Sequence, residues 1–155
     1  MATKTKTRTY SEIGKANVEK GKRIERLWCK ECAKYGYKVK RTRQASAKDD
    51  DDCKGLLGIW EEVKGDQTIN IQKAMQQAVR DYGNWYFNHP NDVRIPIIAL
   101  KRDYQPWKII IRLPDLSILY GSECKRDLFM ILVELSSEHF FKVYSLWREN
   151  QNANP

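Results

Sequence analysis

The sequence predicts an α/β fold in which helices flank a mixed β-sheet, with a helical addition at the C-terminus. Three observations predict it. Helical and β-prone patterns follow one another in the order helix, strands, helix, strands, helix, an order that implies helices layered on a sheet. The runs 94–100 and 107–113 are apolar and rich in β-branched residues, as strands of a buried sheet should be. The chain has 155 residues, 41% hydrophobic and 31% charged, which suits one soluble domain with a sizeable core.

Each element has its own signal. Residues 1–14 are rich in Thr, Lys and Arg and offer little to bury, so a flexible basic arm is expected. A helix is expected over 15–34, burying Ile24, Leu27, Trp28 and Tyr35 at helical spacing, with Gly36 as its stop. The alternating stretch 37–42 reads as a first strand, and the acidic run 49–52 as a loop. Residues 55–59 and 60–65 read as two strands or one hairpin turning near Gly58. Next, Ile71, Ala74, Met75, Ala78, Val79 and Tyr82 form one stripe of a helix ending at Gly83. Such a stripe is core, not a cofactor site. Residues 84–93 read as a turn-rich aromatic loop, and the runs 94–100 and 107–113 as a hairpin or adjacent strand pair. A C-terminal helical segment is expected over 121–149, broken near Ser136 and Ser137, with a tail over 150–155. Leu128, Ile131, Leu132, Leu135, Phe140, Val143 and Trp147 give that segment a large apolar surface.

Charge narrows the function. The formal net charge is +8, and it is one-sided: residues 1–48 hold 15 Lys and Arg against 4 Asp and Glu. A basic N-terminal third ahead of a carboxylate cluster suits a protein that grips phosphates, and DNA is the expected partner. No apolar run approaches the roughly 20 residues that span a bilayer. The N-terminus lacks the apolar core of a signal peptide, so the cytoplasm is expected and no membrane partner is. Cys29 and Cys32 form a Cys-x-x-Cys without a second close pair, while Cys53 and Cys124 stand alone. Free thiols in a reducing compartment are the better reading than a zinc site. No nucleophilic triad, phosphate-binding loop or dinucleotide fingerprint is present, so no small-molecule cofactor is expected.

The chemistry concentrates around Asp52 and Glu62-Val63-Lys64. In a strand, alternate side chains share a face, so Glu62 and Lys64 point together and Val63 points the other way. A neighbouring strand or turn can bring Asp52 beside Glu62. Two carboxylates with water suit magnesium, and a lysine beside them can support charge on a phosphate. A plain ion pair on an exposed strand is the alternative for Glu62 and Lys64. Asp51 is the alternative to Asp52, because four aspartates stand in a row.

These residues resemble the PD-(D/E)xK nuclease superfamily, and more narrowly the phage Holliday junction resolvase-like proteins, related to the archaeal resolvases. Gly21-Lys22-Arg23-Ile24-Glu25-Arg26 is similar to the opening Gly-x-x-x-Glu-Arg of that family. The basic stretch 40–46, then Asp52 with Gly55 and Gly58, then Glu62-Val63-Lys64 follow in order. The helix with Gln77 and the runs around Ile95 to Arg102 and Pro106 to Ile109 continue the likeness, which covers roughly residues 18–120. Glu61 departs from the apolar residue usual before the catalytic glutamate, and Asp51 from the proline or small residue usual before the aspartate.

The resemblance implies a restriction-endonuclease-like core over 15–120. It implies Mg²⁺, with Mn²⁺ as substitute, held by Asp52, Glu62, the Val63 carbonyl and Glu25, and catalysis by Glu25, Asp52, Glu62 and Lys64. It implies DNA contacts from Lys22, Arg23, Arg41, Arg43, Gln44, Ser46, Gln77 and Arg102, with Lys101 beside the last. The implied activity is resolution of four-way junctions by a homodimer, through paired symmetric nicks that leave 5′ phosphates. The apolar C-terminal segment is its candidate dimer face. A nicking, repair or restriction-like nuclease, and a non-catalytic DNA-binding protein of the same fold, are the alternatives.

Overall fold

The computed structural model of the chain describes residues 9–42, 50–65, 67–122 and 131–153. A six-stranded sheet runs in the order β1-β2-β3-β4-β5-β6. Its strands are β1 (Lys40–Arg41), β2 (Cys53–Lys54), β3 (Ile59–Lys64), β4 (Ile95–Leu100), β5 (Lys108–Arg112) and β6 (Leu132–Ser136). Helix α1 (Tyr10–Lys34) precedes them, α2 (Ile71–Asn88) joins β3 to β4, α3 (Leu113–Leu119) follows β5, and α4 (Ser137–Ala153) ends the chain. Only β3 and β4 pair in parallel; every other neighbour is antiparallel. The sheet is therefore mixed and flanked by helices, with a helix at the C-terminus, as expected.

Alternation along β3 and β4 divides the core. Ile59, Val63, Ile97 and Ala99 join Ile24 and Trp28 of α1 and Phe140, Phe141 and Tyr144 of α4 in one cluster. Ile98 and Leu100 face the other way and meet Ala74 and Met75 of α2, with Ile110 of β5. The α2 helix thus covers one face and α1, α3 and α4 the other. Aromatic packing concentrates on the α1 side, where Trp28 lies 5.1 Å from Trp107 and 5.9 Å from Phe141.

Glu61 is the exception on that side, a carboxyl fully buried beneath α1. It accepts hydrogen bonds from Trp28 Nε1 at 2.8 Å and from the Leu56 amide at 3.1 Å. Burial raises its pKa to about 8, so it is mostly neutral at pH 7. The departure at this position is therefore a polar tie between α1 and β3.

Several boundaries differ from the sequence reading. The first helix begins at Tyr10, not 15, because Thr9 and Glu12 form a reciprocal capping box. Residues 10–14, expected in the basic arm, are helical. The first strand keeps only two residues, since the Tyr37 ring turns away to stack on Phe141 at 5.4 Å. The second helix passes through Gly83 to Asn88. A mid-helix glycine costs only about 1 kcal/mol, and Trp85 opposes that cost by packing near Trp60 and donating to Asp92 at 3.0 Å. Leu132–Ser136, expected as helix, is strand β6. Its residues pair with β5 from Lys108↔Ser136 to Arg112↔Leu132, and the ladder overrides a helical spacing that fits the same apolar residues. Leu128 and Cys124 lie outside the described residues.

The Glu61 tie yields a stability prediction. Changing Trp28 to Phe keeps a ring in place and leaves a buried acceptor without its donor, so a loss of about 1–3 kcal/mol is expected in urea denaturation. The pH dependence has a definite sign. The folded state holds the Glu61 proton to about pH 8 while the unfolded chain releases it near the ordinary glutamate value of 4.5. This contribution to stability is complete below that lower value and falls as pH rises through the interval. Glu61→Gln should flatten the decline of Tm over this range, whatever it does to stability at low pH.

Candidate active site at one end of the sheet

The register of the sheet gathers the side chains expected to carry the chemistry at the end where β1, β3 and β4 finish. Lys64 is the last residue of β3 and pairs with Leu100, the last of β4. Cys53 stands opposite Glu61, a register that brings Asp52 alongside Glu62. Arg41 closes β1 at the same end, opposite Cys53. The Asp52 amide donates to the Glu61 carbonyl at 3.0 Å, and Asp52 Oδ2 accepts from the Val63 amide at 2.8 Å.

Glu62 is buried, and the Lys64 ammonium donates to its Oε1. Their side chains lie on the α2 face, with Val63 on the other, as strand alternation requires. Asp52 feels this grouping strongly. Burial, and then the charge of Glu62, push its pKa up to about 7, against the opposing influence of Lys64 and the Val63 amide. For Lys64, burial disfavours the charged form, but Glu62, then Asp52 and Asp81, outweigh it and leave the pKa raised. Two carboxylates and one ammonium thus share a semi-enclosed space in which negative charge is undercompensated.

Glu25 approaches from α1, where it is ion-paired with Arg41. Its charge reaches Asp52 as a minor influence. Close packing sets the position of this helix: a Cβ on Gly65 would sit 2.4 Å from Ile24 Cγ1, so the strand end can pass α1 only as glycine.

The two candidate aspartates separate cleanly. Asp51 is fully buried and its Oδ2 meets Arg94 Nη1 at 3.0 Å. Arg94 in turn grips Asp92 through Nε at 2.9 Å and Nη2 at 2.6 Å. Asp50 pairs with Lys54 at 2.8 Å. The acidic run is therefore neutralised partly by cations of the chain itself, and Asp52 is the member directed toward Glu62.

The remaining expected residues have different surroundings. Lys22 pairs with Glu19 at 2.7 Å, and Arg23 is exposed on α1. Gln77 is exposed on α2. Arg102 follows Lys101, whose amide donates to the Lys64 carbonyl at 2.9 Å, so both stand beside the strand end. Arg43, Gln44 and Ser46 lie outside the described residues. Asp81 was missed by the sequence reading, although it stands four residues after Gln77 and so shares its side of α2. His89 stacks on Trp85 at 3.8 Å, and His139 hydrogen-bonds Tyr120; neither belongs to the site.

The donor set fits a hard divalent cation in part. Among the described residues no three His, Cys, Asp or Glu side chains converge as a ready metal cage. Magnesium does not require one, since it commonly binds through one or two carboxylates and keeps several waters. Asp52 and Glu62 are the two carboxylates at this end of the sheet that could form such a pair.

No family model matches the chain and no curated protein does. Among solved structures, it is similar to Hjc of Archaeoglobus fulgidus, described as a Holliday junction resolvase from an archaeal hyperthermophile. The identity is 17%, the match covers 75% of this chain and 92% of that one, and the TM-score is 0.42. Among the described residues no helix is long and apolar enough to cross a membrane. Cys29, Cys32 and Cys53 are free thiols.

The charge sharing at the site can be read directly. Glu62→Gln removes the chief neighbouring negative charge from Asp52, so the Asp52 pKa should fall below its wild-type value of about 7. Carboxyl-carbon NMR titration measures it; an unmoved Asp52 would show that the two groups do not share a site.

Proposed function

We propose that this chain is a metal-dependent DNA endonuclease of the PD-(D/E)xK type. The observation that supports it most is the grouping of Asp52, Glu62 and Lys64 at one end of the sheet, with Lys64 paired to Glu62 and the half-buried Asp52 brought alongside Glu62 by the β2–β3 register. A surface ion pair would not need a second, half-buried carboxylate beside it. Asp52 and Glu62 would hold Mg²⁺ or Mn²⁺, with the Val63 carbonyl and Glu25 as further oxygen donors. Glu25 is paired with Arg41 here and would have to release it to serve as such a donor. The bound cation supplies positive charge to the scissile phosphate and makes a water more acidic.

The chain's own residues do the rest. Lys64 stays protonated, steadies Glu62 and offers its ammonium to the phosphate as charge builds on the phosphoryl oxygens. Water attacks phosphorus in line, the 3′ oxygen leaves, and the product keeps a 5′ phosphate. Lys22, Arg23, Arg41 and Arg102, with Arg43, Gln44, Ser46 and Gln77, would contact the backbone on either side of the cut. The preferred substrate in this reading is a four-way junction, nicked symmetrically by a two-fold dimer. The free thiols suit action in a reducing cytoplasm.

One observation favours a second reading. Glu25 and Glu62 are each already paired with a cation of the chain, an arrangement that a non-catalytic DNA-binding protein of the same fold would also tolerate.

Cleavage of an immobile four-way junction, with linear duplex as competitor, in Mg²⁺ and in EDTA, separates these readings. Paired nicks confined to the junction and abolished by EDTA are expected, and Glu62→Gln should lose cleavage by on the order of 100-fold or more with DNA binding retained. Equal cutting of the duplex would remove junction selectivity. Tight binding without cutting, in Mn²⁺ as well, would leave the binding-protein reading. Sedimentation showing only monomer with junction DNA would remove the dimer.

A further inference from the structure

The turn between β4 and β5 carries an exposed aromatic ring that the fold does not use. Tyr104 is fully exposed, with a relative accessibility of 106%. Its φ is +59°, and among the described residues it is the sole non-glycine with positive φ. A left-handed tyrosine costs about 1–2 kcal/mol relative to an ordinary conformation, and no buried contact of the ring offsets it. Glycine or asparagine would satisfy the turn without that cost. Strain of this kind points toward a use for the side chain.

Hydrogen bonds hold the backbone of the turn. The Gln105 amide donates to the Arg102 carbonyl at 3.2 Å, and Lys101 Nζ donates to the Gln105 carbonyl across the base of the turn. Pro106 follows and restricts Gln105 further. Trp107 then re-enters the core beside Trp28 at 5.1 Å. At the other side, the Lys101 amide is bonded to the Lys64 carbonyl at 2.9 Å. The tip is thus tied to the strand that bears Glu62 and Lys64, and lies beyond the last β4–β5 pair, Leu100↔Lys108.

Charge surrounds the ring in a way that suits nucleic acid. Lys101 and Arg102 precede it, against Asp103 as the one acid of the turn. Arg102 Nε is buried and has no hydrogen-bond partner among the described residues. Phe87 is comparably exposed, at 86%, but stands near the end of α2. Because α2 is the crossover joining the end of β3 to the start of the parallel β4, that position is remote from Lys64.

We propose that Tyr104 is a base-stacking residue that recognises the branch point of the DNA substrate and thereby confers selectivity over linear duplex. This rests on the nuclease reading above and deepens it. Bases inside a duplex are stacked on both faces and offer no free π surface. A branch point presents bases whose stacking partner is missing or displaced. An exposed ring on a hydrogen-bonded turn, with basic residues beside it in the chain, engages such a base through its face, while Arg102 is the nearby cation for an adjoining phosphate.

The test uses the full chain with four-way junction and linear duplex of the same sequence, the junction carrying 2-aminopurine at its branch point. Tyr104→Ala and Tyr104→Gly should weaken junction binding by about tenfold, the scale of one lost base–aromatic stack, with duplex affinity unchanged. Tyr104→Phe should bind as wild type does. Wild type and Tyr104→Phe should quench 2-aminopurine, and Tyr104→Ala should not. Thermal unfolding of Tyr104→Gly should be unchanged or higher, since glycine relieves the strained φ and no packing is lost.

Equal junction affinities for wild type and Tyr104→Ala, with cutting intact, would overturn the proposal and leave the nuclease reading standing. A matched loss on duplex would overturn it as well, reducing the residue to a general DNA contact. So would a shift in the DNA-free oligomeric state with Tyr104→Ala, because the ring would then serve a second copy of the chain. Wild type that neither binds nor cuts any DNA would overturn both readings together.

Discussion

The hydrogen bond from Trp28 Nε1 to Glu61 Oε2 joins the two elements on which everything else is arranged. It fixes the C-terminal part of α1 to the middle of β3 inside the aromatic core, where a lost partner is costly. Helix and strand each carry side chains of the candidate site close to that bond. Glu25 is three residues before Trp28, and Glu62 directly follows Glu61. Strand alternation then does the sorting, because a residue held toward α1 forces its neighbour toward α2. The adjacent glutamates, one accepting two neutral donors and one facing Lys64, acquire opposite roles through that single geometric rule.

The same rule explains how much could be read from residues alone. Glu62, Lys64 and Val63 were legible because a strand has a period of two and the local pattern is strong. The grouping of Asp52 with Glu62 was legible as a possibility, since a hairpin brings residues ten apart together, and Asp52 was preferred to Asp51 on family spacing alone. The partner that occupies Asp51 was not legible: Arg94 lies 43 positions away from it, and nothing near the acidic run announces it. Asp81 escaped notice for a similar reason, as its relation to Lys64 exists only once α2 has crossed over the sheet.

Element types failed where tertiary pairing outvoted local spacing. Leu132, Leu135 and their neighbours satisfy both helical and strand periodicities, and the open edge of β5 decided between them. Gly83 looked like a stop because glycine is a poor helix former, yet the aromatic residues beyond it had partners across the sheet to hold the helix together. The arm shortened at Thr9 for the opposite reason: a purely local device, the capping box, began a helix before there was any core for it to cover.

The Asp51–Arg94 bond has a consequence for how separable the site is. The segment from Asp52 to Lys64 contains both central carboxylates and the lysine within thirteen residues, a length that invites treating it as a transplantable motif. Its supports come from elsewhere in the chain: Trp28 holds Glu61, Arg94 holds Asp51, and the Tyr144 hydroxyl holds the Leu57 carbonyl at 2.9 Å. A hairpin cut out or grafted onto another scaffold would carry the reactive groups without the three anchors that give them their spacing. The chemistry is written in a short stretch, but its geometry belongs to the whole chain.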